Sequence, residues 1–207
     1  MTTTAYIAIY DSLADWEAGH LLAELRTGRF TQRPLEVRSV AATPEPITTM
    51  GGLRIEPDLT VDAVAPDGAA LLILPGAGLW DAGGGGEFAA LADRFLGAGT
   101  PVAAICGATF GLARAGLLDE RRHTSAAPGY LAASGYRGEA FYEDARATVD
   151  DERLLITAGP DAPVQFAGAT LEALGLFDAT VREAYEGVFA DADADAYPAL
   201  MQAAAAA

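Results

Sequence analysis

Pro101-Val-Ala-Ala-Ile105-Cys106-Gly-Ala-Thr109 is the stretch on which the fold turns. Pro101 to Ile105 is continuously apolar, as a strand covered on both faces must be. Such strands belong to parallel sheets. Cys106 follows at once. Gly107 and Ala108 then supply small neighbours, and a helical pattern runs on through Gly111, Leu112 and Ala115. A residue wedged between a buried strand and a helix start sits in a sharp turn, by the logic of a nucleophile elbow. The helix start brings free N–H groups and the positive end of its dipole, so the spacing predicts a lowered thiol pKa at Cys106. The competing reading is a cysteine packed as a small hydrophobe.

The pattern repeats outward from that elbow. Ala69 to Leu74 is a second continuous apolar run, stopped by Pro75–Gly76. Tyr6 to Tyr10 reads as a first strand, broken by Asp11–Ser12, and a helix with Leu21, Leu22 and Leu25 inward ends near Gly28. Leu35 to Val40 alternates like a half-buried strand, and residues 44–57 suit a small hairpin or a crossing segment. Glu87 to Ala98 predicts a helix. His123 to Ala126 reads as a short strand and Pro128 to Ser134 as a short helix. Ala145 to Val149 and Leu154 to Ala158 form a hairpin around Asp150–Asp151–Glu152. Helices follow from Gly159 to Leu174 and from Asp178 to Phe189. Strands alternating with helices give an open α/β architecture, a mostly parallel sheet with helices on both faces. We read residues 5–190 as a single domain and 191–207 as an Ala/Asp-rich, poorly packed helical tail.

The 207 residues carry 29 acidic against 13 basic side chains, a formal charge of −16. So acidic a chain repels nucleic acid and anionic membrane, which argues against both as partners. One cysteine makes no internal disulfide, and the first residues lack a basic patch followed by a long apolar run. A cytoplasmic protein with no membrane span is the expectation. One cysteine and two scattered histidines offer no metal-ligand spacing, so neither a metal nor a cofactor is expected.

In open α/β sheets, sites form beyond the carboxyl ends of the strands. Three segments converge there. The first holds Cys106 and the Gly107 amide. The second, Leu74-Pro-Gly-Ala-Gly78, offers the Gly76 or Ala77 amide as a partner for Gly107 around an oxyanion. The third is Asp15-Trp-Glu17, two carboxylates at an expected helix start. One of them, aimed at Cys106 and partly desolvated, would serve as general acid and base. The plainer reading is charge complementing a helix dipole. His20 and His123 read individually as packing or surface histidines.

Ala103-Ala-Ile-Cys106-Gly-Ala108 resembles the nucleophile elbow of the DJ-1/PfpI superfamily, whose fold is shared by class I glutamine amidotransferases. Leu72-Ile-Leu-Pro-Gly76, Asp15-Trp-Glu17 and Thr157-Ala-Gly-Pro160 resemble the same family, in matching order over roughly residues 5 to 175. The resemblance implies a flavodoxin-like three-layer sandwich, a homodimer and a small-molecule substrate. It implies Cys106 as nucleophile, Glu17 as its carboxyl partner with Asp15 in support, and Gly76 and Gly107 at the oxyanion positions. His123 stands near the family's third site residue, a few positions early. PfpI-type proteases place a histidine directly after the cysteine, where this chain has Gly107. Glutamine amidotransferases need a late His-x-Glu, and no histidine follows His123.

Three functions follow as expectations. The first is cysteine chemistry on small reactive carbonyl compounds, glyoxalase, deglycase, hydratase or lyase in type. The second is a non-catalytic redox or stress sensor working through Cys106 oxidation. The third is a protease, amidase or amidotransferase-like hydrolase with His20 or His123 as base.

Overall fold

The computed structural model describes residues 4–31 and 33–206. The strands expected from the apolar runs pair as β1 (Thr4–Ala8), β2 (Glu36–Ala41), β5 (Leu59–Thr60), β6 (Ala69–Leu74), β7 (Val102–Ile105), β8 (Ala147–Val149) and β9 (Leu155–Ala158). They make one seven-stranded sheet in the order β5-β2-β1-β6-β7-β9-β8. Every pairing is parallel except β8 with β9, which is the predicted hairpin. The chain moves from β1 to β2 on one side and then crosses to β6 on the other, so the switch point lies between β1 and β6. A separate antiparallel pair, β3 (Ile47–Thr48) with β4 (Arg54–Ile55), is the hairpin of the two alternatives expected in residues 44–57.

Helices cover both faces. On one, α1 (Gly19–Thr27) packs beside α6 (Pro163–Ala173), with α7 (Ala179–Phe189) on α6 and α8 (Ala196–Ala206) on α7. On the other, α3 (Gly86–Gly97) and α4 (Gly107–Arg114) lie on the sheet. The short α2 (Gly78–Asp81) and α5 (Pro128–Ala132) flank α4. This is the flavodoxin-like α/β sandwich. The two inner strands read first from sequence are covered as their composition requires: Leu71 to Leu74 and Val102 to Ile105 are all fully buried.

Three local expectations change. His123 to Ala126 is not a strand; His123 makes a single parallel bridge to Tyr142. Helix α1 starts at Gly19, two residues after Glu17, with no acidic residue in its first turn. Asp15 and Glu17 therefore do not complement that helix dipole. The alanine-rich end forms α8, which buries Leu200 completely against its neighbours and so packs better than its composition implies.

One side chain holds the layers together beneath the rim. Trp80, the third residue of α2, is fully buried. Its Nε1 donates to Tyr10 Oη and to the Pro75 carbonyl, each at 3.1 Å. The Tyr10 hydroxyl donates to that same carbonyl. Glycines make room for the indole: a Cβ on Gly85 would fall 2.4 Å from it, and one on Gly111 only 2.1 Å.

Candidate active site

Cys106 caps the N-terminus of α4 with φ 57° and ψ −125°, a backbone conformation that favours glycine. Strand pairing holds one side of the residue, through Cys106 N–H to the Ala158 carbonyl at 3.0 Å. The other side is held by Thr109, which donates to the Cys106 carbonyl from its amide at 3.1 Å and from Oγ1 at 2.6 Å. Thr109 Oγ1 also lies 2.6 Å from Ser125 Oγ. A strained, over-determined backbone at a half-buried thiol is what an elbow requires.

Glu17 approaches the same point from the loop after β1. Its side chain is fully buried, and Oε2 accepts from the Gly76 amide at 2.5 Å. A Cβ on Gly76 would meet Glu17 Oε1 at 2.8 Å and the Cys106 Cβ at 2.9 Å. Only glycine lets the carboxyl and the cysteine converge there. Glu17 Oε1 has no aligned hydrogen-bond partner among the described residues, although the carboxyl and the thiol are close enough to shift each other's titration.

Burial dominates both titrations. It lifts the Glu17 carboxyl to about 7, against the opposing pull of the Gly76 amide and the thiol. It pushes the Cys106 thiol up to about 12, and the Glu17 charge adds to that rise. The Gly107 amide at the helix start acts the other way and is outweighed. The lowered thiol pKa expected from the helix dipole is thus corrected: desolvation and a neighbouring carboxylate exceed one turn of helix dipole.

The oxyanion candidates separate. The Gly76 amide is taken by Glu17. The Ala77 amide makes no hydrogen bond among the described residues. It lies 3.5 Å from where a Gly107 Cβ would stand. Gly107, at the first position of α4, has an amide with no partner within its own helix. Of the three amides, Glu17 therefore occupies only that of Gly76, and the Gly107 amide acts on the Cys106 sulfur.

The other candidates lie elsewhere. Asp15 Oδ2 accepts from the Gly51 amide at 2.6 Å, and Thr49 and that amide hold its carboxyl below the usual range. It staples the β3–β4 hairpin to the loop carrying Glu17. His123 is buried between the rings of Tyr136 and Tyr142. Its Nδ1 is 2.7 Å from the Arg121 carbonyl and its Nε2 is 3.2 Å from Tyr136 Oη, so neither nitrogen bonds Cys106 or Glu17. Burial holds its pKa below the ordinary imidazole value. His20 Nδ1 is 3.0 Å from Tyr185 Oη, where it joins the α1–α7 packing. Neither imidazole is placed as a base for the thiol.

Two residues at the site escaped notice in the sequence. Tyr130 donates its hydroxyl to Asp81 Oδ1 at 2.7 Å, and its ring packs on Phe110 at 5.1 Å. Tyr130 lay in a segment read only as a short helix, and Asp81 in a stretch given no reading. A cavity of about 430 Å³ opens near the end of β2, between Tyr10, Ile47, Leu79 and Phe88, and does not include Cys106. No cluster that would hold a metal ion occurs among the described residues. Among them, no helix is long and apolar enough to cross a membrane.

Comparison with known proteins agrees with this fold. The DJ-1/PfpI family profile matches residues 3–173. The chain is 39% identical over 181 residues to a Bacillus subtilis protein named as an uncharacterized protease, YoaZ, covering 85% of each chain. It is 36% identical to a ThiJ/PfpI family protein from Bacillus anthracis, with a TM-score of 0.89 over 98% of this chain and 97% of that one. A DJ-1 superfamily protein from Agrobacterium tumefaciens is 33% identical, with a TM-score of 0.82 over 92% of this chain and all of that one.

Proposed function

Because the chain belongs to the DJ-1/PfpI family, we propose that it is a cofactor-independent cysteine enzyme acting on small reactive carbonyl compounds through Cys106 and Glu17. The observation that carries this reading is the fully buried Glu17 carboxyl, poised near 7 beside a thiol that holds its proton. A thiol raised this far is a poor nucleophile until a base takes its proton. Glu17 is that base, and a carboxyl near neutral pH returns the proton as readily as it accepts it.

The step runs as follows for an α-oxoaldehyde. The sulfur bonds to the aldehyde carbon as its proton passes to Glu17. The carbonyl electron pair moves onto oxygen, where the Ala77 and Gly107 amides receive it. Glu17 then protonates that oxygen, which gives a hemithioacetal. Moving the C1 proton through Glu17 to C2, while the C1 hydroxyl proton passes to the C2 oxygen, turns this adduct into a thioester; water then adds to the thioester carbon, and the C–S bond breaks to release a 2-hydroxy acid and the free thiol. No external oxidant or reductant is consumed.

The oxidation-sensor alternative relies on a thiolate at rest, which burial and Glu17 disfavour. A hydrolase, the activity in the name of the Bacillus subtilis relative, would have to use Glu17 as its base, since both imidazoles are bonded elsewhere. Methylglyoxal turnover tests the reading. Wild type should convert it, Cys106→Ser should abolish conversion, and Glu17→Gln should slow it by about a hundredfold or more. Equal rates in wild type and Cys106→Ser would remove Cys106 as nucleophile. Family resemblance also implies a homodimer, which sedimentation checks.

A further inference from the structure

Cys106 is clamped on both sides, and both clamps lead back to β9. On one side its amide donates to the Ala158 carbonyl at 3.0 Å. On the other its carbonyl accepts twice from Thr109, from the amide at 3.1 Å and from Oγ1 at 2.6 Å. Thr109 is fully buried, and its Oγ1 also lies 2.6 Å from Ser125 Oγ. A hydroxyl carries one proton, and a carbonyl only accepts. Thr109 gives its proton to the Cys106 carbonyl, so Ser125 is the donor in the second bond. The relay therefore has one direction, from Ser125 to Thr109 to Cys106.

Ser125 has little freedom of its own. It is buried, and the segment leading to it is pinned residue by residue. The His123 amide donates to the Phe141 carbonyl at 3.1 Å, and the His123 carbonyl accepts from the Glu143 amide at 2.8 Å. The Thr124 amide donates to Thr157 Oγ1 at 2.8 Å, and Thr124 Oγ1 donates to the Ala145 carbonyl at 2.8 Å. Thr157 directly precedes Ala158 on β9. These contacts close a ring. Strand β9 holds the Cys106 amide directly, and holds its carbonyl through Thr124, Ser125 and Thr109. A residue at φ 57° and ψ −125° stays there only when its surroundings hold it from both ends.

We propose that Ser125 is a positioning residue for the Cys106 site: its hydroxyl directs the Thr109 hydroxyl onto the Cys106 carbonyl and so holds the thiol against Glu17. This rests on the reading of Cys106 as the reacting atom. The segment expected to contribute His123 contributes Ser125 instead, through the backbone of the reacting residue. Without the Ser125 donor, the buried Thr109 oxygen loses the bond that orients and strengthens its own.

Methylglyoxal turnover and thiol alkylation together test this. Ser125→Ala removes one oxygen. It should lower kcat about tenfold and change KM less than about twofold, the pattern of a misplaced reacting group rather than of lost binding. Iodoacetamide forms one S–C bond at Cys106, releases iodide and passes the thiol proton to solvent. Cys106 is the only cysteine, so the mass gain has one origin. The alkylation rate against pH reports the thiol titration of the folded protein, which wild type should hold well above the ordinary 9.0. In Ser125→Ala the sulfur is free to move off Glu17 and toward water. Its titration should fall by about one unit or more, so alkylation at neutral pH speeds up while turnover slows. Lost stability alone does not move the two rates in opposite directions.

Thr109→Val removes the second hydroxyl of the relay and should reproduce both effects. Adding Ser125→Ala to it should change nothing further, because Ser125 acts only through Thr109. Thr109→Ser restores the hydroxyl and should recover most of the lost rate. Wild-type kcat and titration in Ser125→Ala overturn the proposal, as do effects of the two substitutions that multiply. A lowered melting temperature with both readouts unchanged assigns Ser125 to stability alone and overturns it equally. Should wild type fail to convert methylglyoxal, the carbonyl-enzyme reading falls, and the alkylation profiles of the same variants still decide the role of Ser125.

Discussion

Replacing Glu17 by glutamine removes one titration from the core while keeping an oxygen to accept from the Gly76 amide. Glu17 is fully buried, and its carboxyl titrates near 7 in the folded chain against about 4.5 in the unfolded one. Between those values the unfolded chain releases a proton that the folded chain retains. The folded state binds more protons there, so stability falls as pH rises and the loss is complete above pH 7. The shift corresponds to about 3 kcal/mol of destabilisation in wild type at alkaline pH, and to almost none at about pH 4. Glu17→Gln escapes it. Thermal melts of both proteins at about pH 4 and about pH 8.5 should therefore diverge. The advantage of the variant should grow by about 6–12 °C across that range for a chain of this length. Over the same range its methylglyoxal activity should be low and should lose the step near pH 7. A melting-temperature difference that stays constant with pH would refute the account, because it would mean Glu17 is ionised as easily in the fold as out of it.

Cys106→Gly should be more stable than Cys106→Ala by about 1–3 kcal/mol in a denaturant titration, because φ 57° with ψ −125° strains any residue carrying a Cβ; equal stabilities would show no strain at the elbow. Gly76→Ala should lose about 1–3 kcal/mol and most of the Cys106 reactivity, since its methyl would stand 2.8 Å from Glu17 Oε1 and 2.9 Å from the Cys106 Cβ. Wild-type alkylation rates in that variant would show that the carboxyl and thiol need not converge.

The sheet was legible because its inner strands are written as uninterrupted apolar runs. Ala69 to Leu74 and Pro101 to Ile105 each end on a residue that breaks the strand pattern, and each became a central parallel strand. The elbow was legible for the same reason: strand, one polarisable residue, then two small ones. What the sequence did not carry is which polar partner each side chain takes. Asp15 and Glu17 are two residues apart and look alike on paper. One reaches outward to the Gly51 amide and the other inward to Gly76. That outcome depends on the hairpin at residues 47–55, which is distant in sequence. The direction of the thiol shift was misjudged because a helix start is visible locally, whereas burial and the approach of Glu17 are tertiary. His123 was read in a short strand that does not form, and its orientation was not legible, since Tyr136 and the Arg121 carbonyl decide where its nitrogens point. Asp81 and Tyr130 went unseen because forty-nine positions separate the two ends of their hydrogen bond.

The wedge formed by Trp80 has a consequence for descent. The indole occupies volume that side chains at positions 85 and 111 would otherwise fill, and it hangs from the carbonyl of Pro75 beside the reactive rim. None of the three positions can drift alone. An alanine at position 111 has no room while the tryptophan remains, and a smaller residue at position 80 leaves a hollow that two glycines cannot close. Lineages related to this chain should therefore inherit the trio as a block, exchanging all three residues together or none. A chain that keeps the tryptophan but has lost the glycine at the position of Gly111 must have moved its α2 away from its α4, and with it the amide of Ala77.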